Sequence, residues 1–247
     1  GGTIQPLGLH PACGDLATLF ASGDLALLAN VGSLAYPIPT RQDYINGTVP
    51  VPPQLFSHSD QQTQWQSSIP DKPFTSGWGG RAADLLNASY NAGSKASMSI
   101  SLAGVNSFQV GTAGGVTQYA VGPSGAVSLS GYGTNYSSAY IDANNPSLGY
   151  RNTDTGRRLQ AFEKIMNLTH ENLLEDQYNR IIRNARATEG VIGAALTAAA
   201  ATGVDFDAHF AGADTNLGDQ LKMIARLIAG RTALGNNRQI FFCQIGG

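Results

Sequence analysis

The run Gln239-Ile240-Phe241-Phe242-Cys243-Gln244-Ile245, followed by Gly246-Gly247, decides how this chain reads. It is short, apolar at its centre and bounded by glycine, the form of a strand buried inside a sheet. Toward the other end, Leu25-Ala26-Leu27-Leu28-Ala29-Asn30-Val31 has the same form and stops at Gly32. It follows a segment, His10 to Ser22, whose Leu16, Leu19 and Phe20 share a helical face and whose Gly23 is a stop signal. A helix leading into a continuous apolar strand is the pattern of a parallel sheet, covered on both faces.

Working inward, Gly32 to Phe56 reads as loop, punctuated by Pro37, Pro39, Pro50, Pro52 and Pro53. Ser59 to Ser67 and Trp78 to Leu86 are expected helices, the second opened by Gly77-Trp78-Gly79-Gly80. Residues 97–150 change character. Ser97-Met98-Ser99-Ile100-Ser101, Phe108-Gln109-Val110, Gln118-Tyr119-Ala120-Val121 and Ala126-Val127-Ser128-Leu129 alternate between glycines, serines and asparagines. They read as small antiparallel strands and loops, an insertion capping the core. Helices then follow: Gly156 to Met166, Leu168 to Thr188, an Ala-rich helix to about Thr202, and Leu217 to Ala229 with Leu221, Ile224, Ala225 and Ile228 on one face. The expected fold is an α/β sandwich, with residues 1–96 and 151–247 forming its core and residues 97–150 a β-rich insertion.

The chain has 247 residues, a formal net charge of -2 and only 13% charged residues. No basic field points to nucleic acid. The longest soft run, Val191 to Val204, is Ala-rich and interrupted by Gly193 and Gly203, so no membrane span is expected. Low charge with abundant Gly, Ser, Thr, Asn and Ala fits a periplasmic or extracellular protein. The start, Gly1-Gly2-Thr3, carries no signal-peptide pattern. Both ends are abrupt, and the expectation is a segment of a longer protein. Cys243 lies in the apolar run and reads as a small buried hydrophobe rather than a disulfide partner of Cys13.

Chemistry concentrates in Val51–Gln66, VPPQLFSHSDQQTQWQ. Ser59 reads as a helix N-cap, with Gln62 completing a capping box. Ser57 is then the hydroxyl left over, just ahead of a helix N-terminus, where backbone N–H groups and the helix dipole favour an anion. His58 is placed to bind metal or substrate oxygen, or to be a hydrogen-bonded structural histidine. Asp60 is a candidate ligand, though a carboxylate in a first helical turn has a sufficient role there. Gln61 and Gln62 are candidates to line a pocket, whereas Trp65 reads as core. Arg41 and Arg81 are the cations best placed to meet an anionic substrate; Arg81 has the alternative of pairing with Asp84 at i+3. His10 reads as packing at a helix start, and His170 stands alone. Asp205-Phe206-Asp207-Ala208-His209 has metal-like spacing without specificity. There is no GxxxxGK[ST], CxxC or HExxH, and Gly111-Thr112-Ala113-Gly114-Gly115 lacks the strand and helix a nucleotide loop requires.

Several of these segments, in order, resemble one bacterial exported family of unknown function within the alkaline phosphatase and sulfatase superfamily. They are Leu9-His10-Pro11-Ala12, Leu25–Gly32, Pro52–Trp65, Gly77-Trp78-Gly79-Gly80-Arg81 with Asp84-Leu85-Leu86, Gln220-Leu221-Lys222 with Ala225-Arg226-Leu227-Ile228, and Ile240–Gly247. The resemblance implies an alkaline-phosphatase-like α/β/α sandwich core with a small β-rich insertion. It implies hydrolysis of phosphate or sulfate esters, of anionic small molecules or polysaccharides, with a divalent metal (zinc, manganese or calcium). Ser57 would be the metal-coordinated nucleophile, His58 its catalytic neighbour, Asp60 a weaker metal ligand, and Arg41, Arg81 and Gln61 substrate contacts. Relatives of this kind continue past Gly-Gly into metal ligands, so the chain as given is expected to be inactive. The competing reading is a secreted or surface binding protein that keeps the fold without the chemistry.

Overall fold

The computed structural model describes residues 8–28, 31–112, 115–126, 136–143, 145–168 and 173–246. Ala29, Asn30, the piece Val127-Ser128-Leu129 and His170 lie outside the described residues. The chain divides into two compact units, Gly1–Pro52 and Pro53–Gly247.

The first unit holds α1 (Gly14–Ala21), preceded by a short 3-10 turn at Pro11–Cys13, and α2 (Arg41–Asn46). Helix α2 falls where a loop was expected. Its signal was present: Thr40 accepts from the Asp43 N–H while Asp43 reaches back to the Thr40 N–H, and Gly47 closes the helix in the left-handed conformation. The expected strand at Leu25–Val31 is corrected. Leu25 to Leu28 carry no regular structure, and Leu28 is 86% exposed. An apolar run becomes a strand only when a neighbouring edge accepts its backbone hydrogen bonds, and none does so at these four residues.

The second unit contains α3 (His58–Ser67), α4 (Trp78–Tyr90), β1 (Ser99–Ser101), β2 (Tyr119–Ala120), α5 (Asp154–Met166), α6 (Leu173–Ala200), α7 (Phe206–His209), α8 (Asn216–Ala229), α9 (Arg231–Leu234) and β3 (Ile240–Phe242). The strands form a parallel sheet of order β2-β1-β3. The chain is therefore mixed α/β. The pieces at 97–101 and 118–121 pair in parallel, not antiparallel as expected, and β1 is the central strand. Antiparallel pairing is confined, among the described residues, to isolated bridges at Gly122–Gly125 and Tyr140–Tyr150.

The reason lies in what covers the polar face of β1. Alternation of Ser and apolar residues ordinarily marks a sheet with one wet face. Here Ile100 and its register partner Phe241 face the core of Leu102, Val121, Ile192, Ala195, Met223, Leu227 and Leu234. Ser99 and Ser101 are nonetheless fully buried. They lie under a loop whose side-chain amides bond to the strands: Gln109 donates to the Ile100 and Ile240 carbonyls at 3.0 and 3.3 Å, and Asn106 donates to Ser101 Oγ at 3.1 Å.

Helices α6, α8 and α9 pack on the apolar face. The two expected helices from Leu168 to about Thr202 are one, α6, over its described span. The expected face of α8 is also rotated: Gln220, Met223 and Leu227 are buried with Ile224 beside them, while Leu221 and Ile228 are largely exposed. On α5, the Glu163 carboxylate accepts from Tyr140, Tyr150 and Arg186. Burial raises its pKa, but these donors outweigh burial and hold it below the ordinary carboxylate range; burial and the same carboxylate push Tyr150 up to about 12.

On the opposite side, the first turn of α4 rides directly on the backbone of residues 107–111. The Gly77 and Gly80 N–H groups donate to the Val110 and Phe108 carbonyls at 2.8 and 2.9 Å. A Cβ at Gly77 or Gly80 would collide with those strands of backbone, and one at Gly79 with the Phe108 ring. This is why glycine recurs in Gly77-Trp78-Gly79-Gly80. Phe108, held there, stacks on Phe242 at 5.7 Å and meets Trp78 edge-on at 4.6 Å.

Candidate functional site

A groove of about 640 Å³ opens beyond the carboxyl end of β3, lined by Phe56, His58, Gln61, Gln62, Trp65 and Gln66 from α3 and its approach, and by Phe242, Cys243 and Gln244 from the strand. The carboxyl ends of parallel strands are where ligands gather in open α/β sheets. Two clamps fix its walls. Gln66 Oε1 accepts from the Ser107 and Phe108 N–H groups at 2.9 and 3.0 Å, tying α3 to the loop under the sheet. Gln220, only 2% exposed, accepts from the Gln244 N–H at 3.1 Å and donates to the Gln244 carbonyl at 3.0 Å. The chain is thereby held in line past the last strand residue, and no sequence pattern announced that role for Gln220.

The start of α3 differs from expectation. Ser57, not Ser59, is the N-cap: its hydroxyl accepts from the Asp60 N–H at 3.5 Å and lies 3.3 Å from Ser59 Oγ. The helix begins at His58, so the Ser59–Gln62 capping box is corrected to a Ser57 cap with Asp60 in the first turn. Ser57 is half-buried and Asp60 exposed, and neither lines the groove. His58 and Gln61 do. Trp65, expected in the core, is 48% exposed and forms part of the groove wall.

The two arginines are apart in role. Arg41 is the exposed first residue of α2, in the first unit. Arg81 donates to the Ser76 carbonyl and hydroxyl at 2.9 and 3.1 Å and to the Ser67 carbonyl at 2.8 Å, so it closes the carboxyl end of α3. It does not pair with Asp84. Asp84 instead accepts from the Thr112 N–H, the Thr112 hydroxyl and the Val116 N–H at 2.8, 2.8 and 2.7 Å, organising the glycine-rich loop. Burial raises the Asp84 pKa, but those three donors outweigh burial and hold its carboxyl below the usual range.

A divalent ion requires several ligands converging on one point. Among the described residues no group of three His, Cys, Asp or Glu does this. Ser57 serves as a cap, Asp60 is exposed and not among the lining residues, and His58 is the one expected ligand at the groove. These residues do not fit a metal centre on their own. The Asp205–His209 string is also accounted for: Asp205 caps α7 through the Ala208 N–H, and Asp207 pairs with Lys222 at 3.2 Å. His10 is exposed and caps the turn before α1 by accepting from the Ala12 N–H at 3.2 Å. Cys13 and Cys243 are free and half-buried. No helix among the described residues is long and apolar enough to cross a membrane. No protein-family model, curated protein or solved structure matches the chain.

Proposed function

We propose that the chain is the α/β core of an exported, hydrolase-like protein of the alkaline phosphatase and sulfatase superfamily, with the groove beyond β3 as its substrate site. The observation that carries this reading is the position of that groove at the carboxyl end of a parallel strand, against a helix N-terminus bearing Ser57 and His58. Phosphate or sulfate esters are its proposed substrates and Ser57 its proposed nucleophile. In such an attack Ser57 Oγ would bond to phosphorus or sulfur as the ester C–O oxygen departs and takes up the serine's proton, and the Asp60 N–H that now donates to Ser57 Oγ would favour that oxygen in its deprotonated form before the bond is made. His58, at the groove, would orient the ester oxygens. No step is assigned to a metal, because the described residues do not fit one.

A second reading is a secreted binding protein on the same scaffold. It is favoured by the Ser57 hydroxyl, which is engaged as a helix cap and lies outside the groove lining. One experiment separates the two: turnover of aryl phosphate and aryl sulfate by the chain and its Ser57→Ala variant, with and without added zinc or manganese. Turnover abolished by Ser57→Ala supports the hydrolase. Turnover that survives the substitution overturns Ser57 as nucleophile, and no turnover under any condition, by this chain or by one extended beyond Gly247, leaves the binding reading.

A further inference from the structure

The groove-facing stripe of α3 is His58, Gln61, Gln62, Trp65 and Gln66. These positions are i, i+3, i+4, i+7 and i+8, the spacing at which a helix packed on a core carries aliphatic side chains. Here they carry an imidazole, three amides and an indole. Gln66 is committed to the 107–108 backbone. Gln61, Gln62 and Trp65 are not needed for that attachment, and Gln62 and Trp65 are exposed. Across the groove stand Phe242 and Gln244, with Phe56 at 77% exposure on its rim. Gln244 has its backbone fixed by Gln220, so its amide side chain is presented from a rigid base.

The chemistry of this lining selects a ligand. None of its residues is Lys, Arg, Asp or Glu. Arg81, one of the expected anion contacts, has its guanidinium bonded to Ser76 and Ser67. A charged phosphate or sulfate would therefore meet no Lys or Arg among the lining residues and only the single imidazole of His58, so most of its charge would go unpaired there. Primary amides offer two donors and an acceptor oxygen each, which suits hydroxyl groups that both donate and accept. Aromatic side chains supply apolar faces with a polar edge, which suits the C–H faces of a sugar ring. An open groove of about 640 Å³ is of the size that takes a chain of a few such units.

We propose that this groove binds the neutral, polyhydroxylated body of an oligosaccharide, so that an ester-bearing glycan is held by its sugars and not by its charge. The proposal rests on the groove being the substrate site. It is tested by calorimetric titration of the chain with neutral hexasaccharides of the malto, cello, xylo and chito series, and with a sulfated hexasaccharide and inorganic phosphate as anionic probes. At least one neutral series is expected to bind, with Trp65→Ala weakening it tenfold or more and Gln61→Ala with Gln62→Ala several-fold. Trp65→Phe, which keeps a ring, should restore most of the affinity, and Leu85→Ala, at an exposed position of α4, should change nothing. Binding of no neutral series, tighter binding of the anionic probes, or unchanged affinity in Trp65→Ala would each overturn the proposal. Glycan binding without ester turnover would remove the hydrolase reading alone. Ester turnover without glycan binding would remove this proposal alone.

Discussion

Replacing Gly80 by alanine adds one methyl group at the point where α4 rests on the backbone of residues 107–111. That Cβ would stand 2.5 Å from Gly111 N and closer still to the Val110 carbonyl, against a floor of 3.0 Å for real contacts. The obstacle is backbone, which cannot rotate away as a flexible side chain would. The Gly80 N–H bond to Phe108 at 2.9 Å would have to lengthen as the helix lifts. Overpacking of this kind costs about 1–3 kcal/mol, and a backbone collision belongs at the upper end. Alanine regains about 1 kcal/mol of helix propensity, leaving a net loss of about 2 kcal/mol. In a chain of this size that lowers Tm by about 4–8 °C. Gly193→Ala is the matched control. It sits on the exposed side of α6 with nothing within 4 Å of its added Cβ, so only the propensity gain applies and Tm should rise. Thermal unfolding followed by far-UV circular dichroism reads both. If Gly80→Ala is as stable as the parent, or if both variants move Tm in the same direction, the close-approach argument fails.

Gln220→Leu should cost about 1–3 kcal/mol, because it strands the Gln244 N–H and carbonyl beside an apolar side chain, and it should also loosen the groove wall. Urea unfolding measures the first effect, and slower or weaker ligand binding the second. Asp84 and Glu163 both titrate below their ordinary range, so each contributes stability that is complete above its unfolded pKa of about 4 and is lost as pH falls through its lower folded pKa. Stability should therefore fall steadily below about pH 4, and Asp84→Asn, already less stable at neutral pH, should show a shallower fall over the same acid range. Ser57→Ala should destabilise α3 by about 0.5–1 kcal/mol, the low end for a cap, since its bond to the Asp60 N–H is long at 3.5 Å. A much larger loss would mean that the hydroxyl does more than cap.

The helices were largely legible because their signals are local. Thr153 and Thr215 cap α5 and α8 at the positions where their apolar patterns begin, and Gly77 opens α4 where the glycine cluster suggested. The sheet was legible at one strand, Ile240–Phe242, and misread elsewhere for a non-local reason. Whether Ser99-Ile100-Ser101 is one of a set of small antiparallel strands or the centre of a parallel sheet depends on the following loop, which covers its serine face, with Gln109 bonded to the Ile100 carbonyl and Asn106 to Ser101 Oγ while Ser99 Oγ is left without a partner. Leu25–Val31 failed in the opposite sense: its composition suits a strand, but Leu25 to Leu28 have no ladder. At the site, His58 and Gln61 were identified from the motif and do line the groove. Phe242, Gln244 and the clamp by Gln220 were not, since β3 and α8 bring them there from more than a hundred residues away. The expected cap at Ser59 missed by two residues, and that shift is what turned Ser57 from a free hydroxyl into a cap.

Ligand is proposed to be held between α3 and the carboxyl end of β3. Amide and side-chain chemical-shift mapping of the isotopically labelled chain, titrated with the tightest-binding oligosaccharide, locates the bound ligand residue by residue. The account predicts shifts at the Gln61, Gln62 and Gln244 side-chain amides and the Trp65 indole N–H, with little change around Glu163 and Arg186. Shifts centred on that cluster, which does not line the groove, or spread over the first unit with the α3 stripe silent, would contradict it.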